Sequence, residues 1–398
     1  MRVRDVTCGF RVPGGVEKTS DPLPFVEGYM LSSVFVPAVI IPMRSRCLRN
    51  TKQGKQVFDT SKHAGMMAVH VAPLESCSMG NLVQPPKLRP GDKVAVLSPS
   101  FAAPAVAPDL HEQALRRFAD LTGLVPVEFP TTRKLGASPE ERAADFNAAL
   151  ANPGIRAILA TVGGDDQIRV VPHLDAALLR ADAKPFFGYS DNTNILNWMW
   201  ANGVTGFYGG STQVHLGPGP HVDQVHSASL IAALLDGGEL EVTEPGDAED
   251  FGIDWADPRA LSEFGEREAT EPWVWAGPSV SVTGRTWGGC LDVLDWIALA
   301  DRMPKNDDLT GAILLLETSE ELPTAQMVRR WVRALGERGT LSVVGGVMVA
   351  RPPASAVGEA RPDAAARAAW RAAQRDAVIE EISAYNPQAV ISPRQCGS

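Results

Sequence analysis

The stretch Ala183-Lys-Pro-Phe-Phe-Gly-Tyr-Ser-Asp-Asn-Thr-Asn194 decides the fold, because it leads from an apolar strand directly into a helix. Residues 184–188 are short and apolar, which is typical of a buried strand. The following helix carries its large apolar residues on one face: Ile195, Leu196, Met199 and Trp200. Ser190 therefore lies at a strand-to-helix junction. It either caps the helix or is presented to a cleft as a nucleophile.

The same alternation of strand and helix extends upstream of this stretch. Apolar patterns predict four strands, at residues 93–98, 124–129, 156–162 and 184–188. They also predict helices at residues 108–121, 138–152 and 167–179. Alternating strands and helices with short loops indicate an α/β fold with a parallel sheet and helices on both faces.

Polar loops follow three of these strands, at residues 98–100, 163–166 and 188–191. The carboxyl ends of parallel strands meet at one edge of a sheet, where open α/β folds bind their ligands. We therefore expect Ser190 to share a cleft with the other two loops.

A second, smaller α/β region follows an acidic segment. Residues 236–271 hold thirteen Asp and Glu against two Arg, which predicts a solvated crossing between domains. Beyond it, strands are predicted at 279–282, 311–317 and 342–349, a loop at 284–289, and helices at 290–299, 325–335 and 363–383. The predicted division is a leader (1–84), an N-terminal α/β domain with the nucleophile (85–236), an acidic linker (237–272) and a C-terminal α/β domain (273–398).

Charge and cysteine content exclude several functions. The 398 residues carry a net charge of −10, which argues against a nucleic-acid surface. The five cysteines are scattered and lack metal-ligand spacing, so we expect a reduced, cytoplasmic protein without a zinc site. We expect no metal or cofactor. A nucleotide-dependent oxidoreductase is disfavoured because the glycine fingerprint of dinucleotide sites is absent.

The first 78 residues differ from the rest of the chain. Ten Lys and Arg against six Asp and Glu give them a charge of +4. Their apolar stretch at residues 30–41 is too short, and interrupted by Pro37, to span a membrane. We expect a leader that is disordered or non-native, with Met79 as an alternative start. No membrane partner is expected.

Five further positions are candidates for a site. Amides of Asp191 and of Gly163 or Gly164 could cradle an oxyanion, although a glycine pair also suits a tight turn. Glu317 ends an apolar strand, where a carboxylate either points into a cleft or caps the next turn. Trp287 lies between glycines, where it either stacks on a ligand or packs in the core.

Together these segments resemble the L,D-carboxypeptidase family of serine peptidases. The resemblance covers residues 84–391 in order. Its motifs are Ala160-Thr-Val-Gly-Gly-Asp-Asp166, Arg169-Val-Val-Pro-His-Leu-Asp175, Gly188-Tyr-Ser-Asp191, Gly288-Gly-Cys-Leu-Asp-Val-Leu294, Leu315-Leu-Glu-Thr-Ser-Glu-Glu321 and Arg330-Trp-Val-Arg-Ala-Leu-Gly336. The Gly-Gly-Asp-Asp and Glu-Thr-Ser-Glu-Glu variants are most similar to the microcin C immunity peptidase branch.

The resemblance implies a flavodoxin-like N-terminal domain, a smaller swivelling-type α/β C-terminal domain and a homodimer. It implies a Ser-Glu-His triad with Ser190 as nucleophile, Glu317 as the acid that orients the histidine, and an oxyanion hole from the amides of Gly164 and Asp191. Gly163 and Trp287 would contact substrate. The reaction would be metal-free hydrolysis of a C-terminal amide, in a murein tetrapeptide or an aminoacyl-nucleotide toxin.

One element of the family pattern is missing. The family places its histidine in a Gly-His motif after the stretch matching residues 386–391, where this sequence reads Ser392-Pro-Arg-Gln-Cys-Gly-Ser398. All seven histidines precede Glu317: His63, His70, His111, His173, His215, His221 and His226. The C-terminal domain is therefore predicted to be truncated. Besides the hydrolase, this leaves open a binding protein of the same fold that does not cleave its ligand.

Overall fold

The computed structural model describes residues 82–236, 242, 244–356 and 359–397, together with the backbone of residues 41–42 and 46–49. Of residues 393–397 it likewise describes the backbone alone. The predicted leader lies almost entirely outside these ranges, as do His63 and His70. Two short strands of the leader, at residues 41–42 and 46–49, lie within the described ranges.

The described chain contains fourteen strands and nine α-helices. The strands are β1 (Ile41–Pro42), β2 (Arg46–Arg49), β3 (Lys93–Leu97), β4 (Val125–Glu128), β5 (Ile155–Ala160), β6 (Phe186–Gly188), β7 (Phe207–Tyr208), β8 (Asp247–Ala248), β9 (Glu268–Ala269), β10 (Ser281–Gly284), β11 (Thr286–Cys290), β12 (Ile313–Glu317), β13 (Gly346–Arg351) and β14 (Val390–Gly397). The helices are α1 (Pro108–Thr122), α2 (Pro139–Ala151), α3 (Ala176–Ala181), α4 (Thr193–Ala201), α5 (Gln224–Ile231), α6 (Leu291–Leu299), α7 (Ala325–Glu337), α8 (Thr340–Val343) and α9 (Ala364–Tyr385).

The first sheet has the strand order β1-β7-β6-β5-β3-β4. Strands β3 to β7 pair in parallel, and only β1 is antiparallel, against β7. Counted along the chain from β3, the parallel strands have the flavodoxin-like order 2-1-3-4-5, which places a ligand crevice between the first and third strands. In this chain those strands are β3 and β5.

The second sheet has the order β11-β12-β13-β14, and all its pairs are parallel. Its register places Cys290 opposite Glu317 at the carboxyl ends of β11 and β12. The predicted α/β class is confirmed, and the second half also contains a parallel sheet.

Local signals fixed several element boundaries correctly. Helix α2 begins with the predicted capping box, in which Ser138 accepts from the Glu141 N–H and the Glu141 side chain accepts from the Ser138 N–H. Helix α1 ends at Gly123, whose φ of 69° lies in the left-handed region that glycine adopts freely.

Other boundaries were predicted wrongly. The helix expected at residues 167–179 is broken into two 3-10 turns and α3, because Pro172 has no N–H to continue a helix. Residues 286–289, expected in a loop, belong to the buried strand β11. The strand expected at 342–349 is α8 followed by β13.

Helix α4 lies between the two halves. Its apolar residues share one hydrophobic cluster with Trp287 and Leu291 of the second half. The loop that precedes α4, including Ser190, is therefore held against the second sheet. Within the part of the chain that the structure describes, no helix has both the length and the apolar character that a membrane span requires.

The composition of the acidic segment predicts a solvated crossing. In the structure, however, part of the segment is buried. Glu249 and Asp250 are buried, and Asp250 pairs with the buried Arg351 and Arg371 at 2.8 Å and 2.7 Å. These ion pairs fasten the segment to β13 and α9. The expectation was wrong here because the partner arginines lie far along the chain.

Candidate active site

The three predicted loops converge at the β3–β5 crevice. The Phe101 N–H donates to the Gly163 carbonyl at 3.0 Å, and the Ser100 hydroxyl donates to the Asp191 carboxylate at 2.5 Å. The Gln167 N–H donates to the same carboxylate oxygen at 2.9 Å. Hydrogen bonds therefore link all three strand ends.

Ser190 adopts an unusual backbone conformation. Its φ of 58° is one of three positive values among the described non-glycine residues. Left-handed geometry costs a residue with a Cβ roughly 1–2 kcal/mol, and such strain is concentrated at functional sites. Ser190 makes no capping hydrogen bond to the short turn it begins or to α4. The structure therefore favours a presented side chain over a helix cap.

Gly163 lies directly against Ser190. A Cβ at position 163 would be 3.0 Å from Ser190 Cβ and 3.1 Å from Ser190 Oγ. It would also be 3.3 Å from the Asp191 nitrogen. The absence of a side chain at Gly163 thus leaves space beside both the hydroxyl and the adjacent amide.

Gly164 is exposed, and its N–H donates to no residue that the structure describes. Its φ of 154° and its approach to Ser100 both require glycine, since a Cβ would be 2.0 Å from Ser100 Oγ. A rigid backbone donor without a partner is the kind of group that forms an oxyanion hole.

The Asp191 side chain holds the Ser190 turn through hydrogen bonds. It is fully buried and accepts from Ser100, from the Gln167 N–H and from Asn194 Nδ2 at 2.9 Å. Burial raises the pKa of this carboxyl to about 6, against the effect of its hydrogen bonds. Asp191 thereby fixes the peptide whose N–H was predicted to contact an oxyanion.

Glu317 lies at the carboxyl end of β12 and is 6% exposed. The Tyr208 hydroxyl donates to Glu317 Oε1 and accepts from the Ser190 N–H at 3.1 Å. The pKa of Glu317 is raised to about 8, chiefly by burial; the bond from Tyr208 and the Ser190 backbone lower it, and Glu320 adds to the increase. Glu317 is therefore linked to the Ser190 turn through Tyr208, and burial favours its neutral form.

Tyr208 was missed in the sequence. The signal that singled out the other loops was present, because Tyr208 is the last residue of β7 and is followed by two glycines. The two-residue strand was too short to recognise from an apolar pattern.

Trp287 does not line the cleft. It is fully buried in the shared hydrophobic cluster, and its Nε1 donates to Asn197 Oδ1 at 3.2 Å. Of the two interpretations of Trp287, the structure favours packing, and the predicted contact with substrate is not supported.

His215 packs against Tyr189, the residue that precedes Ser190. Its ring meets Tyr189 edge-on at 5.3 Å between centroids and stacks on His226 at 4.6 Å. Among the described residues, no hydrogen bond joins a histidine to Ser190 or Glu317. Within the described ranges the geometry therefore supplies a hydroxyl, a carboxyl and an amide, without an imidazole between them.

Replacing Ser190 with glycine is expected to relieve the backbone strain. Ser190→Gly should be about 1 kcal/mol more stable than Ser190→Ala, since alanine retains the penalty of a positive φ. Urea unfolding of both variants measures the difference. Asp301→Gly is the matched control, because Asp301 has a φ of 55° on the exposed surface. Equal stability of the two Ser190 variants would contradict a strained turn.

Gly164→Ala is expected to destabilise the protein by about 1–3 kcal/mol, because the new methyl group would overlap Ser100 Oγ. Hydrolysis should also fall by roughly 100-fold, as the amide shifts. Gly136→Ala is the control for backbone strain alone, since Gly136 has a φ of 68° and open space around it. If both variants lose the same stability and Gly164→Ala keeps full activity, close packing at Gly164 is unimportant.

Comparison with known proteins gives a consistent result for both halves. Residues 94–209 match the family model described as the LD-carboxypeptidase N-terminal domain. Residues 283–387 match the LD-carboxypeptidase C-terminal domain. A candidate carboxypeptidase of Vibrio cholerae is 30% identical over 58% of this chain and 68% of its own length. The microcin C7 self-immunity protein MccF of Escherichia coli is 31% identical over 46% of this chain and 52% of its own.

Solved structures share the fold. Wild-type apo MccF superposes with a TM-score of 0.66 at 23% identity, covering 79% of this chain and 90% of its own. A MccF-like protein from Streptococcus pneumoniae in complex with AMP gives 0.65 at 22% identity, over 77% and 91%. At this identity the likeness shows the fold alone.

Proposed function

The chain belongs to the LD-carboxypeptidase family, and from its site we propose that it is a serine-type hydrolase of a C-terminal amide. The observation that carries the proposal is the strained Ser190 turn, which packs against Gly163 and is linked through Tyr208 to the buried Glu317. Membership supports peptidase chemistry, and the geometry suggests which atoms perform it.

In the proposed reaction, Ser190 Oγ attacks the carbonyl carbon of the scissile amide, and water carries the hydroxyl proton to the amide nitrogen. The negative oxygen of the tetrahedral intermediate accepts hydrogen bonds from the Gly164 and Asp191 amides. The C–N bond then breaks, and the departing nitrogen keeps that proton. Water attacks the Ser190 ester, releases the acid and restores the hydroxyl.

Two amides are the proposed substrates. One is the D-Ala-terminated murein tetrapeptide, and the other is an aminoacyl nucleotide such as aspartyl sulfamoyl adenosine, with which a structure of MccF has been solved. Similarity to the immunity protein supports the second. We place the reaction in the cytoplasm, in a homodimer, without a metal.

A second candidate function is a binding protein of the same fold. It is favoured by the Glu317 carboxyl, because burial raises its pKa and its described partner is Tyr208 rather than an imidazole. A histidine that donated to this carboxyl would instead favour its ionised form. Without such a base, the Ser190 hydroxyl is a weak nucleophile.

Product analysis separates the two functions. The protein is incubated with each amide, and release of D-Ala or aspartate is followed by mass spectrometry. Binding of the same amides is measured by calorimetry. We expect release from one of the two amides. Binding with no release from either would overturn the hydrolase and establish the binding protein.

A further inference from the structure

Ser190 is held through both polar groups of its backbone. Its N–H donates to Tyr208 Oη at 3.1 Å, and its carbonyl accepts from Thr193 Oγ1 at 2.6 Å. Neither side chain belongs to the predicted catalytic set. Each of them also contacts a residue of the second sheet.

Tyr208 forms the first connection. Its hydroxyl accepts from the Ser190 N–H and donates to the Glu317 carboxyl, so it uses one acceptor site and its single proton. Tyr208 is 7% exposed, and water has little access to compete for these bonds. One side chain thus joins the backbone of the proposed nucleophile to the proposed acid.

Thr193 forms the second connection. Its hydroxyl donates to the Ser190 carbonyl and accepts from the Cys290 N–H at 3.2 Å. Thr193 is fully buried. The other side of the Ser190 peptide is therefore joined to the end of β11.

The two connections end on adjacent strands at the same level. Cys290 and Glu317 are register partners in the pairing of β11 with β12. Gly289 makes space for both linking side chains, since a Cβ there would be 2.5 Å from Thr193 Oγ1 and 2.9 Å from Tyr208 Cε2. With its φ of 146°, Gly289 is a position for glycine alone.

We propose that Tyr208 and Thr193 are positioning residues that fix the Ser190 turn of the first sheet against the paired ends of β11 and β12. The role rests on the proposed function, because it concerns the alignment of Ser190 with Glu317. It also explains how the strained φ of Ser190 is retained, since strain persists only where the surroundings over-determine it.

Tyr208→Phe tests the first connection. The ring and its packing are kept, and the loss of the hydroxyl frees the Ser190 N–H. We expect kcat to fall at least about 10-fold with KM within about twofold, because alignment matters most in the transition state. Tyr385→Phe is the control, since the Tyr385 hydroxyl also donates to a carboxyl, that of Glu337 at 2.6 Å, outside the site.

A second readout does not require turnover. NMR titration of carbon-13-labelled glutamate carboxyls should show a higher pKa for Glu317 in Tyr208→Phe. The hydrogen bond from Tyr208 favours the ionised carboxyl, and this variant lacks it. Glu317→Gln assigns the signal, and Tyr385→Phe should leave it unchanged. If the unmodified protein hydrolyses neither amide, the proposed function fails, and this titration alone decides the Tyr208 connection.

Thr193 supplies the last arm of the test. Thr193→Ser keeps the hydroxyl and should retain the activity, whereas Thr193→Val should lose about as much kcat as Tyr208→Phe. Unfolding free energies of Tyr208→Phe, Thr193→Val and the double variant should be non-additive, because both side chains hold one peptide. Additive energies with an unmoved Glu317 titration would overturn the proposal.

Discussion

Replacing Glu317 with glutamine is expected to raise the stability of the protein at alkaline pH. Burial holds the pKa of Glu317 near 8, against an ordinary value of 4.5. In the unfolded chain this carboxyl ionises at the ordinary value. The folded state therefore retains a proton that the unfolded state has released between these two pH values.

The sign of the effect follows from that difference. The contribution of the neutral Glu317 carboxyl to the free energy of unfolding is fully present below pH 4.5. It is lost as the pH rises to about 8. Glutamine never ionises, so the variant avoids the loss. We expect similar melting temperatures for both proteins at pH 5 and a melting temperature roughly 5 °C higher for the variant at pH 9.

Thermal melts across this pH range measure the difference between Glu317→Gln and the unmodified protein, so that other titrating groups cancel. Glu337→Gln is the matched control, because Glu337 also accepts from a tyrosine hydroxyl but is exposed. Its melting curve should follow that of the unmodified protein at every pH. A Glu317→Gln variant that is less stable at pH 9 than at pH 5, relative to the unmodified protein, would sink the assignment of a buried neutral acid.

Ser190→Ala is expected to lower kcat by about 10⁴ to 10⁶, the usual loss when a nucleophile is removed from a serine hydrolase. Substrate binding should persist, since the Gly164 amide and the walls of the cleft are unchanged. Calorimetry should give a similar affinity for the variant and the unmodified protein. Ser262→Ala, an exposed position outside the cleft, is the control for serine loss. Hydrolysis that survives in Ser190→Ala at the unmodified rate would remove Ser190 from the mechanism.

The strand ends could be predicted from the sequence because their signals are local. Apolar runs followed by Gly, Ser or Asp marked the loops, and the rule that parallel strands end at one edge brought Ser190, Gly164 and Ser100 together. In the structure Ser100 bonds to Asp191, the neighbour of Ser190, and packs against Gly164. The order of the strands was expected only from the family resemblance.

Contacts between distant segments were not predictable in this way. Tyr208 and Glu317 are 109 positions apart, and no periodicity links them. The two glycines after Trp287 suggested a loop, whereas they permit close approach of strands. A Cβ on Gly288 would be 2.0 Å from the Leu315 carbonyl oxygen. Glycine thus served packing within the sheet, and Trp287 is buried as a consequence.

Hydroxylamine partitioning tests the central claim, an acyl group carried on Ser190, most directly. Hydroxylamine intercepts such an ester and yields a hydroxamate in competition with water. Two amides with one acyl group and different leaving groups are compared, for example aspartyl sulfamoyl adenosine and aspartyl sulfamoyl guanosine. One ratio of hydroxamate to acid is expected for both amides, because the leaving group has departed before partitioning. A ratio that differs between the two amides, or no hydroxamate despite hydrolysis, would contradict the central claim.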